Sequence, residues 1–234
     1  TVSMIFQEPM LAFDPVYTVG EQIVETVMRH QGKSHAAARQ RALECLENVR
    51  IPSAKQRLDA YPHEMSGGMR QRAMIALALS CDPKILLADE PTTALDATVQ
   101  IQILLLLREL QRELGMTMIF VTHDIGVAVE ISDRIAVMYA GKIVELGPLG
   151  EVVGEPAHPY TRGLLSSTIH GVPKGTTLEA IPGAPPQLDR LPPGCAFAPR
   201  CKHSDPLCAE GEIPNEVIAP GRFSRCRKAK ELAG

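Results

Sequence analysis

Short aliphatic runs alternating with longer stretches of helical periodicity leave this chain few ways to fold. Val2 to Phe6, Ile85 to Ala88 and Met116 to Val121 read as strands, while Val19 to Arg29, His35 to Val49 and the run after Gly68 read as helices. Val99, Ile103, Leu106, Leu110 and Leu114 mark one face of a further helix. Such alternation predicts an α/β fold, a mostly parallel sheet covered by helices. Arg134 to Tyr139 and Ile143 to Leu146 form a further strand pair across an Ala140-Gly141 turn, and "HPYTRGLL" begins a short helix. No internal repeat or low-complexity tract interrupts the pattern.

The chain changes character near Gly171. The last 64 residues hold ten of the nineteen prolines and four of the six cysteines, so a second region with its own logic follows the first. With 45% hydrophobic and 22% charged residues the whole is of ordinary globular composition. A net charge of −3 with mixed signs gives no case for nucleic-acid binding, and apolar runs such as Ile103 to Leu107 are far too short to span a membrane. Residue 1 is Thr and no charged-then-apolar leader follows it, so no secretory signal is expected and the chain is expected to begin inside a longer one.

In an open α/β sheet the chemistry lies at the carboxyl ends of the strands. "KILLADEP" delivers Asp89 and Glu90 there, where one carboxylate can hold Mg²⁺ and its neighbour can orient an attacking water; read structurally, Asp-Glu-Pro simply stops a strand. His123 in "VTHD" repeats that placement, as a phosphate contact or as a turn residue. Gln7 in "IFQEP" ends the first strand, as a ligand of Mg²⁺ or water or as a polar loop residue. Asp96 in "TTALDA" stands before a long helix, where a plain N-cap is the simplest role. "MSGGMRQRAMIALAL" sets Ser66 as N-cap and leaves Gly67 and Gly68 bare at a helix start, where unpaired N–H groups and the helix dipole favour an anion such as phosphate. A flexible turn with a cap is the alternative.

The order of these features is more specific than any one of them, and it resembles the ATP-binding subunit of ABC transporters over nearly the whole chain. Gln7 matches the Q-loop, "SGGMRQR" the signature, "ILLADE" the Walker B strand, "ALD" the D-loop and His123 the switch histidine. Met69, "TTALDATVQ", "HPYTRGLL" and "IPGAPPQL" are similar to the dipeptide and oligopeptide import branch, from which Asp14 in "LAFDP" departs, Asn being usual there. The resemblance implies an ABC-type nucleotide-binding domain over 1–170, with a helical subdomain at about 15–80, and a Pro/Cys-rich extension over 171–234. It implies ATP and Mg²⁺ as ligands: Glu90 and His123 catalytic, Asp89 and Gln7 at Mg²⁺, and Ser66, Gly67, Gly68, Gln71 and Asp96 at nucleotide. Two subunits, identical or different, pair head to tail so that each Ser-Gly-Gly start caps the γ-phosphate held by the other. Integral membrane permease subunits are the further partners, at the cytoplasmic face of the inner membrane, and the solute is a di- or oligopeptide or a related small molecule.

No GxxxxGK followed by Ser or Thr occurs in the chain; "VMRHQGKS" has Val27 where the first glycine is needed and follows a helix rather than a strand. In the family the phosphate-cradling loop precedes the Q-loop, so that loop, the N-terminal strands around it and the adenine-stacking aromatic are expected to be missing, and the chain is expected not to hydrolyse ATP alone. Cys195, Cys201, Cys208 and Cys226 are separated by five, six and seventeen residues in a Pro-rich loop region with no helix. Four thiolates suit Zn²⁺ or an iron–sulfur cluster, and the spacing does not choose between them. Disulfides are the other reading, disfavoured in a reducing cytoplasm. The likeness of "PPGCAFAPRC" to the extension of the peptide-import subunits implies a [4Fe-4S] cluster. Cys45 and Cys81 read as structural. Two other functions stay open, a non-transport ABC ATPase and a truncated, non-hydrolytic module that binds metal through its tail.

Overall fold

A computed structural model describes residues 1–8, 12–93, 95–167 and 180–233. They form two compact units, Thr1–His123 and Asp124–Gly234. The compositional break near Gly171 lies outside the described residues.

The first unit is built on three parallel strands, β1 (Val2–Ile5), β2 (Ile85–Asp89) and β3 (Thr117–Val121), with β2 in the middle. Val2 lies opposite Ile85 and Ile85 opposite Thr117, so the strands run in step and finish together. Ile5, Leu86 and Ala88 are fully buried. Between β1 and β2 come α1 (Val19–Gln31), α2 (His35–Asn48), α3 (Ala54–Arg57) and α4 (Gly67–Leu79), and α5 (Ala97–Leu114) joins β2 to β3. α4 packs on β1 and also against α1 and α2, so it ties the sheet to the helical layer. Its run Ala73 to Ala76 is buried, as are Ile103, Leu106, Leu107 and Leu110 of α5. Leu114, read with that face, is exposed at the helix end.

Local chemistry sets the helix ends. Thr18 and Glu21 form a capping box at the start of α1. Gly32 ends that helix at φ 64°, its N–H bonded to the Met28 carbonyl, and Ser34 caps α2. The "HQGKS" stretch is therefore a helix stop followed by a helix start, which accounts for its glycine and serine without a phosphate.

The second unit has α6 (Ile125–Ile131), β4 (Arg134–Tyr139), β5 (Lys142–Pro148), α7 (Leu149–Gly154) and α8 (Pro159–Ser166). β4 and β5 are the expected antiparallel pair. The tail is not the helix-free loop region that its prolines suggested: β6 (Glu216–Ala219) and β7 (Arg222–Ser224) form a hairpin that extends the sheet in the order β4-β5-β7-β6, and α9 (Ala229–Leu232) follows. The prolines instead open two short 3₁₀ turns, Ala198–Arg200 and Pro206–Ala209, where a fixed φ and a missing N–H are tolerated. Tyr139, Tyr160 and Phe197 meet at ring centroid separations of 4.6 to 5.4 Å, around which Val137 and Val144 are buried. Glu145, fully buried, accepts N–H bonds from Ala157 and His158 at 2.8 and 2.9 Å and lies 3.7 Å from the buried Arg222.

Candidate functional site

Three strand ends converge on one carboxylate. β2 places Asp89 as its last residue and Glu90 just beyond, where the backbone turns to φ 44° and the Glu90 N–H bonds the Val121 carbonyl at 3.0 Å. A left-handed conformation at a residue other than glycine costs about 1–3 kcal/mol and is retained where the surroundings enforce it. Gln7, beyond β1, donates through Nε2 to Glu90 Oε2 at 3.0 Å; His123, beyond β3, brings Nδ1 to 2.8 Å from Oε1. Thr93 donates its hydroxyl to Oε2 at 2.9 Å. The His123 bond first, and the Thr93 bond next, hold the Glu90 carboxyl below the usual carboxylate range. The His123 side chain is 70% exposed, so the cluster opens outward. Of the residues singled out in sequence, Gln7, Glu90 and His123 are thus in contact, with Asp89 adjacent in the chain.

The others group elsewhere in the same unit. Ser66 caps α4 by accepting the Met69 N–H at 3.3 Å, and a Cβ added at Gly67 would meet open space. A Cβ at Gly68 would come to 3.0 Å from Val99, so this helix start lies against the first turn of α5. Asp96 caps that turn, accepting from the Thr98 and Val99 N–H groups at 3.1 and 3.0 Å. Gln71 stands apart: it is 1% exposed, and its Nε2 has no hydrogen-bond partner among the described residues. Sequence reasoning passed over Thr93. The available signal was its position, three residues after the carboxylate across a proline, which is the spacing of a turn.

In the second unit Cys195, Cys201, Cys208 and Cys226 line one small cavity, about 20 Å³, with His158, Phe197, His203 and Lys228. The Cys195 N–H bonds the Cys208 carbonyl at 2.8 Å, and a Cβ at Gly194 would meet that same oxygen at 2.5 Å, so only glycine allows the approach. Burial pushes the Cys226 thiol up to about 11 and raises those of Cys195 and Cys201, with neighbouring thiols adding to the effect. Four sulfurs are a suitable donor set for Zn²⁺ or an iron–sulfur cluster. They share a lining without forming a cage, since among the described residues no group of three His, Cys, Asp or Glu is arranged to hold a metal ion. Cys45 is buried and Cys81 half-buried just beyond α4, as structural thiols should be.

Residues 1–93 match the ABC transporter family, and residues 144–208 match the oligopeptide/dipeptide transporter C-terminal region. A Brucella melitensis protein named for peptide import and ATP binding is 50% identical over 238 residues, which is 99% of this chain and 70% of that protein. The oligopeptide transport ATP-binding protein OppD of Salmonella typhimurium is 49% identical, over 98% of this chain and 68% of its own length. The chain belongs to the ABC transporter ATP-binding family. Among solved structures, a dimeric ATP-binding cassette in a post-hydrolysis state with ADP and Pi superimposes with a TM-score of 0.55 at 34% identity, over 64% of this chain and 63% of that one. cbiO1 of Clostridium perfringens, part of an ABC transporter complex, gives a TM-score of 0.58 at 30% identity, over 66% of this chain and 59% of its own. The chain therefore spans about three-fifths of either cassette. The family is one of ATPases, which use ATP with Mg²⁺, and neither a non-transport ATPase nor a metal-binding module finds support in these matches. No helix among the described residues is long and apolar enough to cross a membrane.

Proposed function

We propose that this chain is the ATP-binding subunit of an importer of di- or oligopeptides or related small solutes. It pairs with a second ABC ATPase subunit, identical or different, and acts on integral membrane permease subunits from the cytoplasmic face of the inner membrane. The observation that carries the reading is Glu90 at the end of β2, bonded at once by Gln7 and His123. Held ionised, Glu90 takes a proton from the attacking water as general base, and His123 orients it and contacts the γ-phosphate. Asp89 and Gln7 hold Mg²⁺, which when bound neutralises charge on the phosphates. The open Ser66, Gly67 and Gly68 start of α4, with Asp96 beside it, presents N–H groups to the γ-phosphate of the partner's ATP. Gln71, buried, supports α4 from inside. The domain division of 1–170, with its helical subdomain at about 15–80, and 171–234 belongs to the same proposal.

The test is Glu90→Gln in a subunit that also carries a GxxxxGK phosphate-cradling loop ahead of Gln7, assembled with its partners. ATP turnover is expected to fall by roughly 10²–10⁴-fold, the usual worth of a general base, with ATP binding retained. Turnover within a few-fold of the parent removes Glu90 from the mechanism.

The tail cysteines we assign to an iron–sulfur cluster or zinc on donor chemistry and a shared lining alone. Protein purified without oxygen is expected to carry iron with acid-labile sulfide, or zinc, and to lose it in Cys201→Ser; metal-free protein defeats the assignment.

A further inference from the structure

The turn after β2 ties one more residue to the proposed base. Thr93 reaches Glu90 twice, through its N–H to the Glu90 carbonyl at 3.3 Å and through its hydroxyl to Oε2 at 2.9 Å. Pro91, at the second position of that turn, fixes φ and stiffens the link. Glu90 itself is pinned at φ 44° by its N–H bond to Val121. Backbone on both sides of the carboxylate is therefore held, and the Thr93 hydroxyl completes a closed ring of contacts within four residues.

The three side chains on the carboxylate are not equivalent. Gln7 and Thr93 share Oε2, whereas His123 faces Oε1. Gln7 and His123 arrive from other strands and each has a second role at nucleotide in the reading above. Thr93 alone belongs to the same turn as the base, so its bond persists when the other two side chains take other partners. We propose that Thr93 is a positioning residue whose hydroxyl anchors Oε2 and so presents Oε1 as the proton-accepting oxygen; this rests on reading Glu90 as the general base. An anchored carboxylate keeps its rotamer between turnovers, and misplacement of a reacting group by an ångström costs on the order of 10²-fold in rate.

Thr93 is exposed, so a substitution there does not challenge folding. In the assembled transporter, with a GxxxxGK phosphate-cradling loop ahead of Gln7 in this subunit, Thr93→Val, which keeps the shape and removes the hydroxyl, is expected to lower kcat by about 10- to 100-fold with little change in KM for ATP. Thr93→Ser restores kcat, and in a Glu90→Gln background Thr93→Val has no further effect because the two act through one group. A readout without nucleotide uses this chain: the side-chain amide signals of Gln7, which shares Oε2, shift in Thr93→Val and return in Thr93→Ser. Thr93→Val with parental kcat, Thr93→Ser as slow as Thr93→Val, or unchanged Gln7 signals would each overturn the proposal. Should Glu90→Gln turn over like the parent, the reading of Glu90 as base fails, and the Gln7 signals alone then decide whether Thr93 holds the carboxylate.

Discussion

Glu90 in the first unit and Glu145 in the second are both carboxylates surrounded by donors, and they are held in opposite ways. Around Glu90 the partners are the side chains of Gln7, Thr93 and His123, at an open edge where the glutamate side chain is 21% exposed. Around Glu145 they are the backbone N–H groups of Ala157 and His158 with the Arg222 guanidinium nearby, and exposure is nil. The side chains of Gln7 and His123, which come from other strands, can turn away and take another partner, but the N–H groups of a packed helix start cannot. The first arrangement suits a group that must exchange partners during a reaction, the second one that fastens α8 and the tail hairpin to β5.

The same substitution at both positions puts this contrast at risk. Glu90→Gln is expected to produce the large loss of turnover described above with no measurable change in melting temperature. Glu145→Gln should do the reverse: it leaves a buried donor facing N–H groups and deprives the buried Arg222 of one of its two carboxylates, a loss of about 3–5 kcal/mol in the second unit by urea denaturation. If both variants lost stability alike, the two carboxylates would share one structural role and the contrast would collapse.

A smaller effect sharpens the second half of the comparison. His158 is buried beside Glu145, its Nδ1 accepting the Tyr160 N–H at 3.1 Å, and burial pulls its pKa down from 6.5 to about 4. The folded state therefore keeps the ring neutral while the unfolded chain binds a proton below 6.5, so stability is full above that pH and falls as the pH drops from 6.5 to 4. The loss is about 3 kcal/mol at roughly 1.4 kcal/mol per unit. Denaturation across that interval should show the decline, flattened in His158→Gln; a slope identical in the two proteins would mean that His158 titrates freely.

The strands, their direction and the strand-end residues were legible because alternating aliphatic runs and helical faces are local patterns. Val2, Ile85 and Thr117 fall in register, and Gln7 and His123 reach Glu90 from the ends of their strands. What escaped was non-local or hidden in composition. β7 is three residues long and finds β5 at Glu145 and Leu146 across a long stretch of chain, so no periodicity announces it. α4 has no one-sided apolar face and Gln71 stands between Arg70 and Arg72, so nothing in its pattern said that Gln71 faces inward. The left-handed backbone at Glu90 was equally silent, since glutamate carries no sign of it.

Glu145 meets Ala157 and His158 within thirteen residues, but Arg222 lies 77 residues further along the chain. On a ribosome adding about 5–20 residues per second, the last local partner, His158, is made some 3–13 seconds before the arginine. For that interval the nascent second unit holds an acid at its centre without a counter-ion, and β5 has an unfilled edge where β7 will dock. Until then β5 lacks a neighbour on that edge and the acid lacks its cation, and the arrival of one short strand supplies both.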